Sequence, residues 1–363
     1  MLSNLLDKLG EWNPQLFREI KGRFNPRNVA IAAGISGIAQ LLVYLFYTAD
    51  LPSSPDYEGT NRYCMGTPPI NWGHYDPAYA PNNYCLKDSL GHWIINWQLW
   101  RLDVFIALSF IAIFALLGVG TYMLISDWSR EEQRQTLNFL RLTPQPAKTI
   151  LIGKMLGVPS LLYLIAFLAL PFHFVMGLEA GIPLTLILGF YGVLAASCIF
   201  FYSVALLYGS ISTWLGGFQS WLGSGVLLFF MFMFTIGLLE DQLPFDNPFD
   251  WLTLFFPSTV LPYLVKATNL PAEMIGYMGG GSLSELEWYN IPVGYNAWMG
   301  IGFVLANFAL WNYWITQGLK HRFHNPNDPL LSKGQSYWLS SSFAMIALGF
   351  AVQHRGWGSY AQN

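Results

Sequence analysis

Long apolar runs without a charged residue constrain the fold of this chain more than any other feature. Val104 to Ser126 and Met155 to Leu178 contain no Asp, Glu, Lys or Arg, and Ala180 to Leu239 is uncharged as well. A helix of roughly 20 apolar residues crosses a bilayer, so the first two runs predict one crossing each and the third predicts two antiparallel crossings. Charged residues make up 11% of the chain, against roughly 25% in soluble domains. The chain is therefore predicted to be an all-α polytopic membrane protein.

Hydropathy along the whole chain predicts six transmembrane helices and a weaker seventh. The predicted membrane domain covers residues 28–335, and residues 336–363 are predicted to form the extra helix and a tail. The six spans are Asn28 to Thr48, Val104 to Ser126, Met155 to Gly177, Pro183 to Tyr208, Ser212 to Leu239 and Pro292 to Gln317, and the seventh is Tyr337 to Gln353. The break inside the longest run is predicted at Tyr208 to Ser210.

The placement of Lys and Arg predicts which segments face the cytoplasm. Basic residues are concentrated in residues 1–27 and 127–154, whereas residues 240–291 are mainly acidic. Cytoplasmic loops of membrane proteins carry an excess of Lys and Arg, so the amino terminus and the 127–154 insert are predicted to be cytoplasmic, and residues 49–103 and 240–291 external. This predicts a protein of the bacterial inner membrane. A net charge of −3 provides no basic field, so no nucleic-acid partner is expected.

Residues 1–27 are predicted to contain an amphipathic helix on the cytoplasmic membrane surface. Asn13 can cap a helix that has Pro14 at its first position. Basic residues on such a helix can meet anionic lipid, and the same helix can dock onto a protein; the sequence is compatible with both roles. The apolar face is predicted to contain Leu16, Phe17, Ile20 and Phe24, with Arg18, Lys21 and Arg23 elsewhere on the helix.

Two external segments carry further expectations. Cys64 and Cys85 lie in the loop 49–103, on the predicted oxidising side of the membrane, and are expected to form a disulfide.

The segment 240–291 contains an apolar stretch, Trp251 to Val265, that is interrupted by prolines and too short to cross the membrane. Re-entrant or interfacial helices are therefore predicted between the fifth and sixth spans.

The charged insert from Ser129 to Lys154 is the most informative segment for function. It is helix-competent, and Pro144 and Pro146 are expected to turn the chain back toward the membrane. The alternative interpretation is an ordinary solvated loop. Its apolar residues Leu137, Phe139, Leu140 and Leu142 are expected to contact a partner protein, to which Glu131, Glu132, Arg134 and Arg141 would offer complementary charge.

The segment NPQLFREIKGR before the first span, together with EEQRQTLNFLRLTPQPAKTILIGK after the second, resembles the permease subunit of type-2 ABC transporters of the exporter type. The common pattern of that family after the second span is an acidic pair, a Thr-Leu step, an apolar turn, a Thr-Pro or Ser-Pro and a closing Gly-Lys. The family often has glycine before the Thr-Leu step, where this chain has Gln135. The matching residues are Glu131, Glu132, Thr136, Leu137, Thr143, Pro144, Gly153 and Lys154.

The resemblance implies that a separate cytosolic ABC ATPase, which binds ATP and Mg, docks onto the insert and the amino-terminal helix. The permease pairs with a second copy or a paralogue, binds no cofactor and is not an enzyme. The implied substrate is lipid-linked, a polysaccharide or hydrophobic, and residues 240–291 are expected to gate the outer side. The residues expected to couple to the ATPase are Glu131, Glu132, Arg134, Thr136, Leu137, Leu140, Thr143, Pro144 and Lys154, and those of the interfacial helix are Pro14, Phe17, Arg18 and Lys21.

Enzyme and metal motifs are absent from the sequence. It contains no G-x-x-x-x-G-K-[ST], H-E-x-x-H or G-x-S-x-G and no Cys and His at zinc spacing, so no catalytic or metal-binding residue is predicted. His173, near the outer end of the third span, is expected to reach interfacial water. The uncharged spans argue against an ion-coupled transporter. The alternatives to an ABC permease are a membrane-embedded enzyme or accessory subunit, and an ATP-independent carrier.

Overall fold

A computed structural model describes residues 10–52, 59–66, 83–240, 248–278, 283, 286–324 and 329–352. Helices account for 77% of the structure, and the described residues form isolated β-bridges but no strand. The predicted all-α fold class is confirmed.

Twelve α-helices can be numbered in chain order within the described residues. Two short 3₁₀ segments, Pro248–Phe255 and Pro257–Val260, precede the ninth. The helices are α1 Pro14–Arg23, α2 Pro26–Ala49, α3 Trp97–Gln133, α4 Thr136–Leu142, α5 Ala147–Gly157, α6 Ser160–Glu179, α7 Leu184–Ile211, α8 Phe218–Leu239, α9 Leu261–Lys266, α10 Ala272–Ile275, α11 Ala297–His324 and α12 Lys333–Ala351.

Five helices, α2, α3, α6, α7 and α8, are long and apolar enough to cross a membrane. These helices indicate an integral membrane protein, and each coincides with one of the first five predicted spans, although the observed helix bounds differ from the predicted ones. The second span extends beyond both predicted ends, because α3 runs from Trp97 to Gln133. The third begins at Ser160 and not at Met155, because a turn at Val158 and Pro159 separates α5 from α6. The sixth and seventh crossings, by α11 and α12, stay predictions.

The reversal between α7 and α8 corrects the predicted break. The chain does not turn at Tyr208 to Ser210, since α7 continues to Ile211. The Ser210 hydroxyl donates to the Leu207 carbonyl within the helix and does not end it. The turn follows at Ser212 to Gly217, where Gly216 has a φ of 57°. Glycine adopts this left-handed conformation without the steric cost of a side chain.

The long helices alternate in direction, which gives the bundle two ends. We call the end on which α1 packs the α1 end, and the other, where residues 59–66 and 272–278 lie beside the start of α3, the loop end. The contacts that join helix ends are Trp100 Nε1 donating to the Tyr47 carbonyl (2.9 Å), Arg101 with Glu179 (2.9 Å), Arg322 Nε donating to the Ser210 carbonyl (3.4 Å) and the Tyr289 N–H donating to the Gly349 carbonyl (2.9 Å).

The centre of the bundle is α3. Inside the protein, 61% of its most apolar window is buried, against 11% for α2 and 17% for α8, which therefore lie at the periphery. The core around α3 includes Leu102, Phe105 and Leu124, packed with Phe190 and Leu206 of α7. A movement of α3 would therefore reach most of the bundle.

Candidate functional site

The first helix is attached to α5 through its capping residue. Asn13 Oδ1 accepts a hydrogen bond from the Leu16 N–H (3.0 Å), and Pro14 occupies the first turn, which confirms the predicted start of α1. Asn13 Nδ2 also donates to the Thr149 carbonyl on α5 (2.9 Å). One asparagine therefore both begins α1 and holds it at the α1 end of the bundle.

Two glycines of α5 allow α1 to lie directly against it. A Cβ atom at Gly153 would lie 2.8 Å from Asn13 Oδ1 and 2.8 Å from Gln15 Cβ, and one at Gly157 would lie 2.4 Å from Glu19 Cβ. These distances are too short for real Cβ contacts, so a larger residue at either position would separate the helices. The glycine of the Gly-Lys pair is therefore a packing residue.

The face that α1 buries differs from the predicted apolar face. Gln15, Leu16 and Glu19 are buried, whereas Phe17 and Ile20 are only half-buried. Leu16 therefore packs within the protein and is not one of the residues that α1 turns outward. Of the residues expected at a membrane surface, Pro14, Arg18 and Lys21 are exposed, and the Lys21 ammonium lies 5.5 Å from the centre of the Phe17 ring.

Lys154, the lysine of the Gly-Lys pair, is completely buried at 0% exposure. Its Nζ lies 2.7 Å from Asp127 Oδ2, 2.7 Å from Glu131 Oε2 and 3.9 Å from Glu19 Oε1. Asp127 and Glu131 lie one turn apart on α3, and Glu19 lies on α1. A buried ammonium is tolerated only when carboxylates compensate its charge. Lys154 therefore joins α1, α3 and α5 through a single charged group.

Two arginines of α1 complete this group, which we call the Lys154 cluster. Arg18 Nη2 lies 2.7 Å from Glu131 Oε1, and Arg23 contacts Asp127 at 3.0 Å and also pairs with Glu19. The cluster thus contains equal numbers of positive and negative groups. Its members are Arg18, Glu19, Arg23, Asp127, Glu131 and Lys154.

The three carboxylates of the cluster have a spacing that suits a metal ion, since one oxygen atom of each lies within 4.8 Å of the others. The Lys154 ammonium, however, is within 2.7 Å of two of them. A side-chain cation thus occupies the position where a metal ion would bind. We interpret the arrangement as an ion-pair network that holds helices together.

Helix α4 presents a mixed face to the solvent. Phe139 and Leu142 are 73% and 84% exposed, whereas Leu137 is buried at 0% and Leu140 is half-buried. The expectation that Leu137 contacts a partner is therefore corrected, because its side chain fills the protein interior. Among the described side chains of α4, Phe139 and Leu142 are the large apolar residues that stay exposed, and exposed apolar surface is typical of an interface.

The polar residues of the insert are divided between local structure and the surface. The Thr136 hydroxyl donates to the Glu131 carbonyl (3.1 Å), and the Thr143 hydroxyl donates to the Leu140 carbonyl (2.7 Å), so both threonines stabilise the ends of α4. Glu132 lies 3.5 Å from Arg141 within the insert. The remaining expected coupling residues, Arg134 and Pro144, are exposed.

Gln135 begins α4 in the left-handed conformation, with a φ of 58°. This is the position at which the resembled family often has glycine. Left-handed backbone costs a residue with a side chain about 1–2 kcal/mol, which glycine avoids. Gln135 therefore adopts the left-handed turn that glycine would adopt at this position in the family.

Gln135→Gly is accordingly expected to raise the free energy of unfolding by roughly 0.5–1 kcal/mol, because the relief of left-handed strain exceeds the entropy that glycine adds to the unfolded chain. The midpoint of thermal unfolding in detergent measures this change. Gln133→Gly in the last turn of α3 is the control and is expected to lower stability. Equal destabilisation by both substitutions would contradict the assignment.

A second buried cluster lies at the loop end around Asp103, near the start of α3. Asp103 Oδ2 accepts from Arg62 Nε (2.7 Å) and the Tyr63 hydroxyl (3.0 Å), and Oδ1 accepts from Arg62 Nη2 (3.1 Å) and the Tyr277 hydroxyl (2.6 Å). Arg62 Nη2 also donates to the Ile275 carbonyl of α10 (2.6 Å). This Asp103 cluster ties residues 59–66 and 272–278 to α3.

The two phenols of the Asp103 cluster remain hydrogen-bond donors at neutral pH. Burial raises the pKa of Tyr63 and of Tyr277, and the neighbouring Asp103 carboxylate raises both pKa values further. Next to the cluster, Cys64 forms a disulfide with Cys85. Cys198, the remaining cysteine, is buried in α7. At the loop end, the Cys64–Cys85 disulfide thus lies next to the Asp103 cluster.

Asp103 and Asp127 were not predicted as members of these clusters. Both residues border the uncharged run from Val104 to Ser126, one before it and one just after it. A carboxylate at each end of the most buried span is a pattern that the sequence shows. The partners of the two carboxylates could not be predicted, because Arg62 and Lys154 come from segments distant in sequence.

No protein-family model, curated protein or solved structure matches the chain. The support for a function therefore comes from the two clusters, the exposed face of α4 and the resemblance of the insert.

Proposed function

We propose that this chain is the membrane-spanning permease subunit of a type-2 ABC transporter of the exporter type, energised by a separate cytosolic ATPase that binds ATP and Mg. The observation that carries the proposal is the Lys154 cluster, which joins α1, the end of α3 and α5 around one buried ammonium. Beside this unit α4 exposes Phe139 and Leu142. An ATPase that binds α4 would therefore act on three helices, α1, α3 and α5, that ion pairs hold together.

The route from α4 into the bundle is short. Only Arg134 and Gln135 separate α4 from α3, and the buried Leu137 anchors α4 against the interior. A force on α4 would therefore reach α3, the central helix, directly. This supports a coupling role for the insert, in contrast to an ordinary solvated loop.

In the proposed orientation the α1 end is cytoplasmic, in the inner membrane of a bacterium, because the basic residues of α1 and of the insert are concentrated there. Helix α11 would form the sixth crossing and α12 the seventh. The hydrogen bond between Tyr289 and Gly349 supports this arrangement, since it brings the end of α12 to the loop end. The peripheral helices α2 and α8 leave room for pairing with a second copy or a paralogue.

The substrate class follows from the resemblance and from the spans. The helices that would line a path contain few charged groups, which suits a lipid-linked, polysaccharide or hydrophobic compound better than an ion. The Asp103 cluster would close the outer side, since it joins residues 272–278 of the external segment to α3. Opening of that side during export would require these hydrogen bonds to break.

The double substitution Phe139→Asp with Leu142→Asp is expected to abolish binding of the ATPase while the chain still inserts into the membrane. Two carboxylates would replace the exposed apolar contacts, and the recovery of a Walker-motif protein with the tagged chain should fall by about tenfold or more. Gentle solubilisation from the native membrane, identification of bound proteins and an ATPase assay measure this.

The matched control keeps the same surface apolar, with Phe139→Leu and Leu142→Met. Because both side chains are exposed, neither variant should change stability by more than about 0.5 kcal/mol. Full recovery of the ATPase by the double aspartate variant would overturn the docking assignment. A wild-type preparation without an ATPase, even after crosslinking, would favour an accessory subunit or an embedded enzyme; flux that follows an ion gradient would favour a carrier.

A further inference from the structure

An apolar cavity of about 560 Å³ lies between α2, α3, α6 and α7. Ligand sites in proteins have volumes of roughly 300–1,000 Å³. Along α7 the lining residues form one stripe, Phe190, Leu194, Cys198 and Tyr202, which spans roughly 18 Å at 1.5 Å per residue. The cavity is therefore an elongated slot that runs parallel to the helices, and we call it the slot.

Two of the helices that line the slot, α6 and α3, have irregular backbones beside it. Pro171 lies inside α6 and lacks the N–H that would bond to the Phe167 carbonyl. In α3 the segment Ala115–Val119 forms a π-turn, and the Tyr202 hydroxyl donates to the Leu116 carbonyl there (2.7 Å). Prolines and π-turns bend helices, so both walls depart from regular packing at the slot.

The mouth of the slot opens sideways from the bundle. Among its lining residues, Ile111, Phe167 and Ile199 are 46%, 69% and 49% exposed. Each lies in the middle third of its helix, α3, α6 or α7, and these helices are long and apolar enough to cross a membrane. At that depth the surrounding medium is hydrocarbon and not water.

His173, which was expected to reach interfacial water, is instead buried at one end of the slot. Its Nε2 lies 2.8 Å from Ser109 Oγ and its Nδ1 lies 2.8 Å from the Tyr191 hydroxyl. Ser109 Oγ donates to the Phe105 carbonyl (2.8 Å), so it accepts the N–H of Nε2, and Nδ1 accepts from Tyr191. Both ring nitrogens of a neutral imidazole are thus bonded, and this end of the slot does not require a polar ligand.

We infer that the slot holds one acyl chain of a membrane phospholipid, which enters sideways from the bilayer. The lining excludes a charged or strongly polar occupant, because such groups would lose hydration without gaining partners. An empty slot would forfeit the dispersion contacts of its walls, and acyl chains are the molecules present at its mouth. The inference depends on α2, α3, α6 and α7 lying in the membrane and does not depend on a partner ATPase.

Photolabelling tests this inference on the full chain in nanodiscs of phosphatidylethanolamine and phosphatidylglycerol. A phospholipid with a diazirine on one acyl chain is the probe, and mass spectrometry locates the label after irradiation. The expected sites are Leu162, Leu194 and Cys198, which line the slot and are 7%, 8% and 8% exposed. Label confined to outward residues such as Phe229 and Phe230 would overturn the inference, because it would report only the lipid around the protein.

A matched pair of tryptophan substitutions, one inside the slot and one outside it, provides the comparison. Ala166→Trp places an indole in the slot, and labelling of Leu194 and Cys198 should fall by roughly fivefold or more, because the space for the chain is taken. Ala33→Trp, at an exposed α2 position outside the slot, should leave the labelling unchanged. If Ala166→Trp does not fold, Ala195→Trp on the α7 wall applies the same test. Unchanged labelling in a folded slot-filling variant would overturn the inference.

Discussion

Replacing Lys154 with methionine is expected to lower the free energy of unfolding by about 3–5 kcal/mol, because removal of one partner from a buried ion pair leaves uncompensated charge. Lys154 is the most buried member of its cluster and lies 2.7 Å from both Asp127 and Glu131. Without it, the cluster carries three carboxylates and two guanidinium groups. Helix α1 should therefore detach, which thermal unfolding and faster tryptic cleavage at Arg18 and Lys21 would record.

Lys148→Met is the matched control, since Lys148 lies on the same helix and is exposed. It should change stability by less than about 0.5 kcal/mol. Adding Asp127→Asn to Lys154→Met restores the charge balance and is expected to recover part of the lost stability. If Lys154→Met and Lys148→Met unfold alike, the cluster does not hold α1.

Asp103→Asn is expected to destabilise the loop end by roughly 3 kcal/mol. The substitution removes the charge that pairs with Arg62 and turns one acceptor of the cluster into a donor, which leaves buried donors without an acceptor. Partial exposure of Arg62 lets water compensate some of the loss. Residues 59–66 and 272–278 should exchange their amide hydrogens faster, because the cluster is what ties both to α3.

Glu179→Gln is the control for this result. Glu179 pairs with Arg101 at the same end of the bundle, but its side chain is 48% exposed, and exposed pairs contribute about 0–1 kcal/mol. Hydrogen exchange that rises equally in both variants would show general loosening and would contradict a specific anchor at Asp103. In the proposed transporter, Asp103→Asn should also favour states with an open outer side.

The membrane helices follow from the sequence because their cause is local. A run of apolar residues long enough to cross a bilayer must satisfy its backbone hydrogen bonds internally, and a helix does so within the run itself. The same locality explains the start of α1, where Asn13 and Pro14 act within one turn. The break predicted at Tyr208 to Ser210 was wrong, because α7 continues to Ile211 and the turn that follows contains Gly216, with a φ of 57°.

The candidate site was predicted only as a segment. Helix α4 has apolar residues on both of its faces, so its sequence could not distinguish the buried Leu137 from the exposed Phe139 and Leu142. Lys154 was expected to couple to an ATPase, whereas the structure places its side chain inside the protein. The preceding Gly153 lies against α1. Such assignments need the neighbouring helices, because burial is a property of the packed chain.

The sequence by itself determined that this protein is helical, that it contains long uncharged helices suited to a membrane and that a charged insert separates two of them. Each of these properties depends on residues close together in the chain. Only the tertiary structure decided which charges meet, since Lys154 reaches Glu19 on α1 and Asp103 reaches Arg62 and Tyr277 across long separations in sequence. A buried ion requires partners from whichever segments pack around it, and that choice is made by folding.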